Sequence, residues 1–198
     1  MLRCGMDTRR WFVLLVALLV ACMVSGCVIS PPGVGNDDGS DSGSNGGGPS
    51  GDASGDGGSS GQPQAGHTTV EQDAFDRVNQ RRVADGGTAL TPAADLVQVA
   101  RAYSERMAAE GFFAHEDPDG NGPDDRVTAA GIAWATVGEN LAMNQGFADP
   151  AATAAEGWFN SAGHYANIVN AGYEESGMGA AQAADGTWYF AQLFLTRP

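Results

Sequence analysis

The stretch from residue 28 to residue 66 limits where this chain can fold. It contains thirteen Gly, eight Ser and five Asp, no aromatic residue and almost no large apolar one. Such a composition cannot bury enough surface to offset the entropy of ordering the chain, so we expect a disordered tether over residues 27–66. Any compact domain must be built from residues 67–198, and about 130 residues are enough to enclose a core without cross-links.

The first 26 residues have the layout of an export signal. Three arginines precede an apolar run, residues 11–24, which carries no charge and is short for a membrane-spanning helix. The motif at residues 24–27 resembles the lipobox of bacterial lipoproteins, in which the cysteine is lipidated and becomes the first residue of the mature protein. We therefore expect a signal peptide over residues 1–26, and a lipid on Cys27 that holds the protein to the membrane on the outer, extracytoplasmic side of the cell envelope. An uncleaved anchor is one alternative, and a plain cleaved signal, which leaves Cys27 unexplained, is another.

Cysteine content and charge exclude several kinds of site and partner. Residues 28–198 contain no cysteine, so no disulfide and no thiolate metal site can form there. The chain carries ten Arg and no Lys against 24 acidic residues, a net charge of −14. This balance argues against nucleic acid as a partner and against electrostatic binding to anionic lipid.

Hydrophobic periodicity and turn residues predict helices early in the domain and strands late. Helices first and strands last indicate an α+β fold in layers. A capping box marks the start of the first helix, and glycines mark the ends of the first two. The expected elements are a helix from Thr68 to Gly86, a helix from Thr91 to Gly111, a short helix over 124–130, a strand over 132–141, a helix from Asp149 to Phe159, and a hairpin over 177–195.

The candidate chemistry is confined to few residues. Of the three histidines, His67 lies at the end of the tether and is set aside, whereas His115 and His164 each follow a predicted helix. Glu139 interrupts an apolar strand, so its carboxylate would be partly buried and would need a partner. Two imidazoles and one carboxylate form a set that suits zinc or another divalent cation with an open coordination position. Sequence spacing alone does not show that the three side chains meet.

The same residues allow two other interpretations. Ser161, His164 and Glu139 would serve an extracellular hydrolase, a protease or an esterase, as nucleophile, base and orienting acid. Alternatively, His115, Glu139 and His164 would only cross-link the fold by hydrogen bonds. The hydrolase needs an oxyanion hole as well, and Ser161 is more simply a residue at a helix end.

A loop in the middle of the domain resembles part of a calcium site. Asp117, Asp119 and Asn121 match the first half of a calcium-binding loop. The twelfth position is Thr128, where such a loop needs a bidentate Glu. The sequence therefore predicts weak calcium binding at most.

An ordered pattern across nearly the whole domain, from Val70 to Leu195, resembles the CAP domain. That superfamily includes cysteine-rich secretory proteins, plant pathogenesis-related proteins and many bacterial secreted proteins, and the likeness is strongest to its short, cysteine-free bacterial branch. The motifs that carry the resemblance are Phe113-Ala114-His115, Gly138-Glu139-Asn140-Leu141 and Ser161-Ala162-Gly163-His164, in that order.

The resemblance implies a three-layer α-β-α sandwich with a central cleft. CAP clefts commonly hold two His and two Glu, and some bind a divalent metal. His115, Glu139 and His164 match three of these positions, and Ser161 stands where many eukaryotic members carry the second Glu. The resemblance favours a binding domain for a small or apolar ligand, with the hydrolase as the alternative.

Overall fold

The structure, a computed structural model, describes residues 27–29 and 66–198. The signal peptide expected over residues 1–26 and most of the expected tether, residues 30–65, lie outside the described residues. Within the described part of the chain, no helix has the length and apolar character needed to cross a membrane. The elements in chain order are β1 (Cys27–Ile29), α1 (Thr69–Ala84), β2 (Thr91–Pro92), α2 (Ala94–Glu110), α3 (Pro123–Ala129), β3 (Thr136–Asn144), α4 (Pro150–Phe159), α5 (Ala162–Val169), β4 (Glu175–Gln182) and β5 (Trp188–Thr196).

A mixed sheet forms the middle layer, in the order β1-β3-β5-β4-β2. β5 lies at its centre and pairs antiparallel with β3 on one side and with β4 on the other. At the two edges, β2 pairs parallel with β4 and β1 pairs antiparallel with β3. The hairpin that the sequence predicts over 177–195 is therefore present as β4 and β5.

Helices cover both faces of this sheet. One face packs against α2 and α3, in an apolar cluster that includes Leu96, Ala100, Met107, Val127, Val137, Leu141 and Leu193. The other face packs against α1, α4 and α5, in a cluster that includes Phe75, Val78, Trp158, Ile168, Met178, Phe190 and Phe194. The predicted α+β class and the three-layer α-β-α sandwich are both confirmed.

Helix α2 lies close against β4 because two glycines of that strand leave room for the helix backbone. A Cβ atom added to Gly177 would lie 2.4 Å from the carbonyl carbon of Leu96, and one added to Gly179 would lie 2.2 Å from that of Ala100. Side chains at these two positions would push the helix away from the sheet. The glycines therefore set the distance between the two layers.

The start of the domain covers the outer edge of β4. The backbone N–H of Met178 donates to His67 Nε2 at 3.2 Å, and that of Ala180 donates to Glu71 Oε1 at 3.0 Å. His67 is 4% exposed, and its ring packs on Phe75 with 5.1 Å between centroids. Setting His67 aside as part of the tether's end is therefore wrong, because its side chain protects a sheet edge that would otherwise be open.

Some element boundaries differ from the sequence prediction. Thr91 and Pro92 do not begin the second helix, because they pair with β4 as a short strand and α2 starts after them. The central strand begins and ends a few residues later than predicted, as β3. The sequence does not predict helix α5, which places His164 inside a helix and Ser161 at its N-cap position.

The segment Cys27–Ile29 also departs from expectation, since the sequence predicts the beginning of a tether there. It forms the edge strand β1, with Cys27 opposite Glu139 and Ile29 opposite Val137. The two β-branched residues in this segment suit a strand. The described residues thus place the start of the expected mature chain directly on the sheet.

Candidate metal and ligand cleft

Glu139 lies on β3 and is fully buried. Its Oε1 atom is 2.8 Å from His115 Nδ1, and its Oε2 atom accepts a hydrogen bond from Arg126 Nη2 at 2.6 Å. A buried carboxylate is stable only when charged or polar partners replace its lost hydration. Both oxygens of this carboxylate are engaged, so Glu139 has no oxygen without a protein partner.

Arg126, on α3, connects Glu139 to the loop that carries His115. Its Nη1 atom donates to the carbonyls of His115 and Asn121 at 2.9 and 3.0 Å, and its guanidinium carbon lies 3.4 Å from the centroid of the Tyr103 ring. Burial raises the pKa of Tyr103 to about 12, so its hydroxyl stays protonated and donates to the Ala114 carbonyl at 2.5 Å. Sequence reasoning missed this role, because an arginine that follows two aspartates in a short helix has the pattern of a surface residue.

His164 is held firmly by its backbone, while its ring is left without partners among the described residues. Asn140 Nδ2 donates to the His164 carbonyl at 3.1 Å, and Asn167 Nδ2 donates to Asn140 Oδ1 at 2.9 Å, which fixes α5 against β3. The His164 side chain is buried, yet neither Nδ1 nor Nε2 has a hydrogen-bond partner within the part of the chain that the structure describes. Buried polar atoms are almost always paired, so an orphaned imidazole points to an ion, a water or a ligand.

Burial also determines the charge of this imidazole. Desolvation lowers the pKa of His164 to about 4, and the nearby His115 lowers it further when that ring is charged. At neutral pH the ring is therefore uncharged and has a lone pair on one nitrogen. Neutral imidazole is the form that coordinates metals.

The structure brings some of the predicted site residues together and leaves others apart. His115 contacts Glu139 directly and lies near enough to His164 to influence its pKa. Neither Glu139 nor Ser161 bonds the His164 ring, because both ring nitrogens lack partners among the described residues. Ser161 makes no capping bond at the start of α5. The hydrogen-bonded nucleophile, base and acid that a hydrolase needs are therefore not formed in this arrangement.

The loop that resembles half a calcium site is closed by its own hydrogen bonds. Asp117 Oδ1 accepts from the backbone N–H groups of Asp119 and Asn121 at 2.9 and 2.8 Å, and Arg106 Nη1 donates to Asp117 Oδ2 at 2.6 Å. Arg106 Nη2 also bonds Asp119 at 2.7 Å. The Arg106 guanidinium thus occupies the position beside these carboxylates where a bound cation would lie. Across residues 27–29 and 66–198, no three His, Cys, Asp or Glu side chains converge as a ready-made metal site.

His115 also lines an open pocket of about 500 Å³. The acidic side chains of Glu116, Asp124 and Asp125 form part of its wall, and neither Lys nor Arg is among its lining residues. A wall of this charge favours cations over anions near His115. The residues that line the pocket are Ala114, His115, Glu116, Gly122, Pro123, Asp124 and Asp125.

The lowered pKa of His164 predicts how stability depends on pH. The unfolded state takes up a proton near pH 6.5 and the folded state only near pH 4, so this contribution to stability is complete above about pH 6.5 and is lost as the pH falls toward 4. We expect a loss of about 1–3 kcal/mol over this window, measured by urea unfolding at several pH values. His67, whose pKa is also lowered by burial, adds to the same trend.

A His164→Leu variant is the comparison for this pH dependence. It should show a clearly smaller loss of stability between pH 7 and pH 4.5, with the remainder coming from His67. Carboxylates whose pKa values are lowered, such as Glu71 and Asp117, lose their contribution only at still lower pH. An unchanged pH dependence in His164→Leu would mean that His164 is not buried as described.

Sequence comparisons connect this arrangement to known proteins. The model of the cysteine-rich secretory protein family, CAP, matches residues 75–194. The Bacillus subtilis (strain 168) protein YkwD is 31% identical over 116 residues, which are 59% of this chain and 44% of YkwD. The membrane protein YlbC of the same organism is 32% identical over 130 residues, 66% of this chain and 35% of YlbC. The matched part thus spans less than half the length of either relative.

Structural comparisons lead to the same group of proteins. An extracellular protein containing an SCP domain from Bacillus anthracis superposes with a TM-score of 0.57 at 26% identity, over 65% of this chain and 40% of that one. An outer surface protein of Borrelia burgdorferi superposes with a TM-score of 0.59 at 19% identity, over 66% of this chain and 97% of that one. The second likeness shows the fold alone.

Proposed function

This chain belongs to the cysteine-rich secretory protein (CAP) family, and we propose that it is a non-enzymatic binding domain tethered outside the cytoplasm, whose cleft holds a divalent cation between His115 and His164. The observation that carries the proposal is the orphaned imidazole of His164. It is buried, its pKa is lowered to about 4, and both its ring nitrogens lack partners among the described residues. A cation such as Zn²⁺ would satisfy one of these nitrogens and would accept the neutral ring without a proton first being removed.

Glu139 has a supporting role in this proposal and is not a ligand. One of its oxygens contacts His115 Nδ1 and the other is bound by Arg126. A carboxylate on one nitrogen of a metal-binding histidine fixes the tautomer and the ring orientation, and makes the other nitrogen a better donor. The expected set of three ligands thus becomes two ligands and one positioning residue.

A site with two protein ligands should bind its cation weakly and keep coordination positions open. Zinc sites that hold their metal firmly use three or four protein ligands. We expect a dissociation constant weaker than about 1 μM, which corresponds to roughly −8 kcal/mol. The acidic wall beside His115 supports a cation there, and the open positions would let a small ligand with a donor atom bind to the metal.

The location proposed for the domain rests on its N-terminus and on its relatives. The motif that ends at Cys27 supports a lipid anchor, and no other cysteine follows it in the chain. The Bacillus anthracis neighbour, at 26% identity, is an extracellular protein. The domain in this proposal lies on the outer side of a membrane, held by lipid on Cys27.

Calorimetric titration tests the cleft. Zinc should bind to residues 27–198 carrying Cys27→Ser with a stoichiometry of one, and His115→Ala and His164→Ala should each weaken binding at least about tenfold because each removes one of two ligands. Glu139→Gln should weaken binding by about 10–100-fold without changing the stoichiometry, as expected for a residue that positions a ligand.

The matched control for this titration is Ser161→Ala. Ser161 lies close in sequence to His164 and at the start of the same helix, but it has no part in the proposed site. It should bind zinc as the parent chain does. Zinc binding that survives both histidine substitutions would place the ion elsewhere, and no heat of binding in the parent chain would remove the cation from the proposal.

A further inference from the structure

We propose that Cys27–Ile29 is a strap, which docks on the edge of β3. In this position it would turn the β3 edge of the sheet, where Glu139 lies, toward the membrane. The proposal rests on the lipid anchor of the proposed function. The observation that supports the strap is the pairing of β1 with β3, in which Cys27 lies directly opposite Glu139. Adjacent strands are about 5 Å apart, so the residue that would carry the lipid lies one strand spacing from the backbone of the central cleft residue.

Side chains protect β3 from Glu139 onward, and the strap extends from Glu139 in the opposite direction along the strand. Asn167 Nδ2 donates to the Glu139 carbonyl at 3.2 Å, at the end of the stretch that the strap covers, and Trp158 Nε1 donates to the Leu141 carbonyl at 2.8 Å beyond it. The strap pairs with Val137, Gly138 and Glu139, and it also contacts α5. An unprotected strand edge readily accepts another extended segment, so this short stretch is a natural docking position.

The connecting chain is long enough for this arrangement. The domain begins again at Gly66, whose carbonyl accepts from Arg101 Nη2 beside the far edge of β4. About three strand spacings, roughly 15 Å, separate β4 from β1, whereas 36 residues of extended chain could span well over 100 Å. The number of residues between β1 and Gly66 is therefore sufficient for the strap to dock on its own domain.

The strap should be easy to release. Three paired residues supply few hydrogen bonds, and closing a loop through residues 30–65 has an entropic cost that grows only slowly with length. If the strap is released, residues 30–65 alone link the domain to the proposed anchor. The docked form holds the cleft beside the bilayer, and the released form lets the domain rotate freely.

Hydrogen exchange tests the strap without any lipid. In residues 27–198 carrying Cys27→Ser, the amides of residues 137–139 should exchange several-fold more slowly than in the same chain with Ile29→Pro, because proline has no N–H and disfavours pairing in the strap. The helices α1 and α2 should exchange alike in both chains. Equal exchange at residues 137–139 in the two chains would overturn the docked strap.

Energy transfer to a membrane tests the orientation. Because no cysteine follows Cys27, a single donor dye can be attached to Ala166→Cys on α5, which contacts β1, or to Gln98→Cys on α2, on the opposite face of the sheet. With the lipidated chain on phosphatidylcholine vesicles that contain an acceptor lipid, transfer should be stronger from position 166, and Ile29→Pro should remove the difference. Equal transfer from both positions in the chain with the native strap would overturn the orientation.

The lipid anchor itself is checked in the same preparation. Cys27→Ser should abolish sedimentation with the vesicles. If that variant still sediments, the anchor is wrong and the proposed orientation fails with it, while the exchange measurement still decides whether the strap docks. Failure of the anchor and failure of the strap are therefore separate results.

Discussion

Arg82→Met should lower the free energy of unfolding by about 3–5 kcal/mol, which is the range for a buried charged network that loses one member. Arg82 is 2% exposed, and its guanidinium donates to four backbone carbonyls with no carboxylate among these partners. They are the carbonyls of Thr88, Ile168, Asn170 and Tyr173, at 2.5, 2.8, 2.8 and 3.0 Å. Methionine fills part of the volume but leaves all four carbonyls without this donor.

The adjacent arginine provides a matched control for this experiment. Arg81 is exposed, bonds Asp85 at 2.6 Å, and stacks over the rings of Phe159 and Tyr165. Arg81→Met should lower stability by less than about 1 kcal/mol, because exposed ion pairs contribute little. Urea unfolding of both variants at pH 7 decides the prediction, and similar losses from the two substitutions would contradict the role assigned to Arg82.

Gly179→Ala should destabilise the domain by about 3 kcal/mol, the upper end of the usual range for overpacking, because its Cβ would lie 2.2 Å from the backbone of Ala100 and Arg101. The obstacle is helix backbone and not the flexible end of a side chain, so α2 has to shift from β4 as a whole. Near-ultraviolet circular dichroism should also change, because Tyr103 lies on this helix in the core. Urea unfolding measures the loss of stability.

The control for Gly179 is another glycine replaced by the same residue. Gly157 lies in α4, and a Cβ added there would meet nothing within 4 Å. Gly157→Ala should therefore stabilise the domain by about 0.5–1 kcal/mol, because alanine is the better helix former. A Gly179→Ala variant as stable as Gly157→Ala would show that α2 and β4 are not packed as tightly as the structure places them.

The parts of the fold that sequence predicts correctly are those with local signals. The capping box at Thr68 and Glu71 is formed as expected, and Gly111 ends α2 in the left-handed conformation with φ of 70°. Helix α5 has no such signal, since Ser161 makes no capping bond and Gly163 lies in its first turn. This helix depends on tertiary contacts, such as the buried Ile168 and the bonds of Asn167 to β3.

The sequence predicts which residues belong to the candidate site, but it does not predict the role of each. The family pattern indicates His115, Glu139 and His164, and the contact between His115 and Glu139 is present. The pattern does not show that Arg126 takes the second oxygen of Glu139, because the pairing depends on how α3 packs against β3. The assignment of His67 to the tether is wrong for a similar reason, since its partner is the backbone of Met178, 111 positions away in sequence.

These contacts change the expected chemistry of the cleft. The Glu139 carboxylate already binds an arginine and a histidine, so it has few lone pairs left for a metal. The buried His164 imidazole has no partner among the described residues, so its nitrogen lone pair is available to a cation. We therefore propose that two histidines, and not Glu139, hold the cation. The third histidine, His67, is engaged with Gln72 and Met178 and should not respond to metal.

Nitrogen-15 NMR of the imidazole rings tests this claim most directly, because the chain has three histidines and hence three pairs of ring signals. Zinc would be titrated into residues 27–198 carrying Cys27→Ser at pH 7, where His164 is neutral. The ring signals of His115 and His164 should shift together as zinc is added, while those of His67 stay in place. Zinc binding that leaves the His164 ring unshifted, or that shifts His67 alone, would contradict the account.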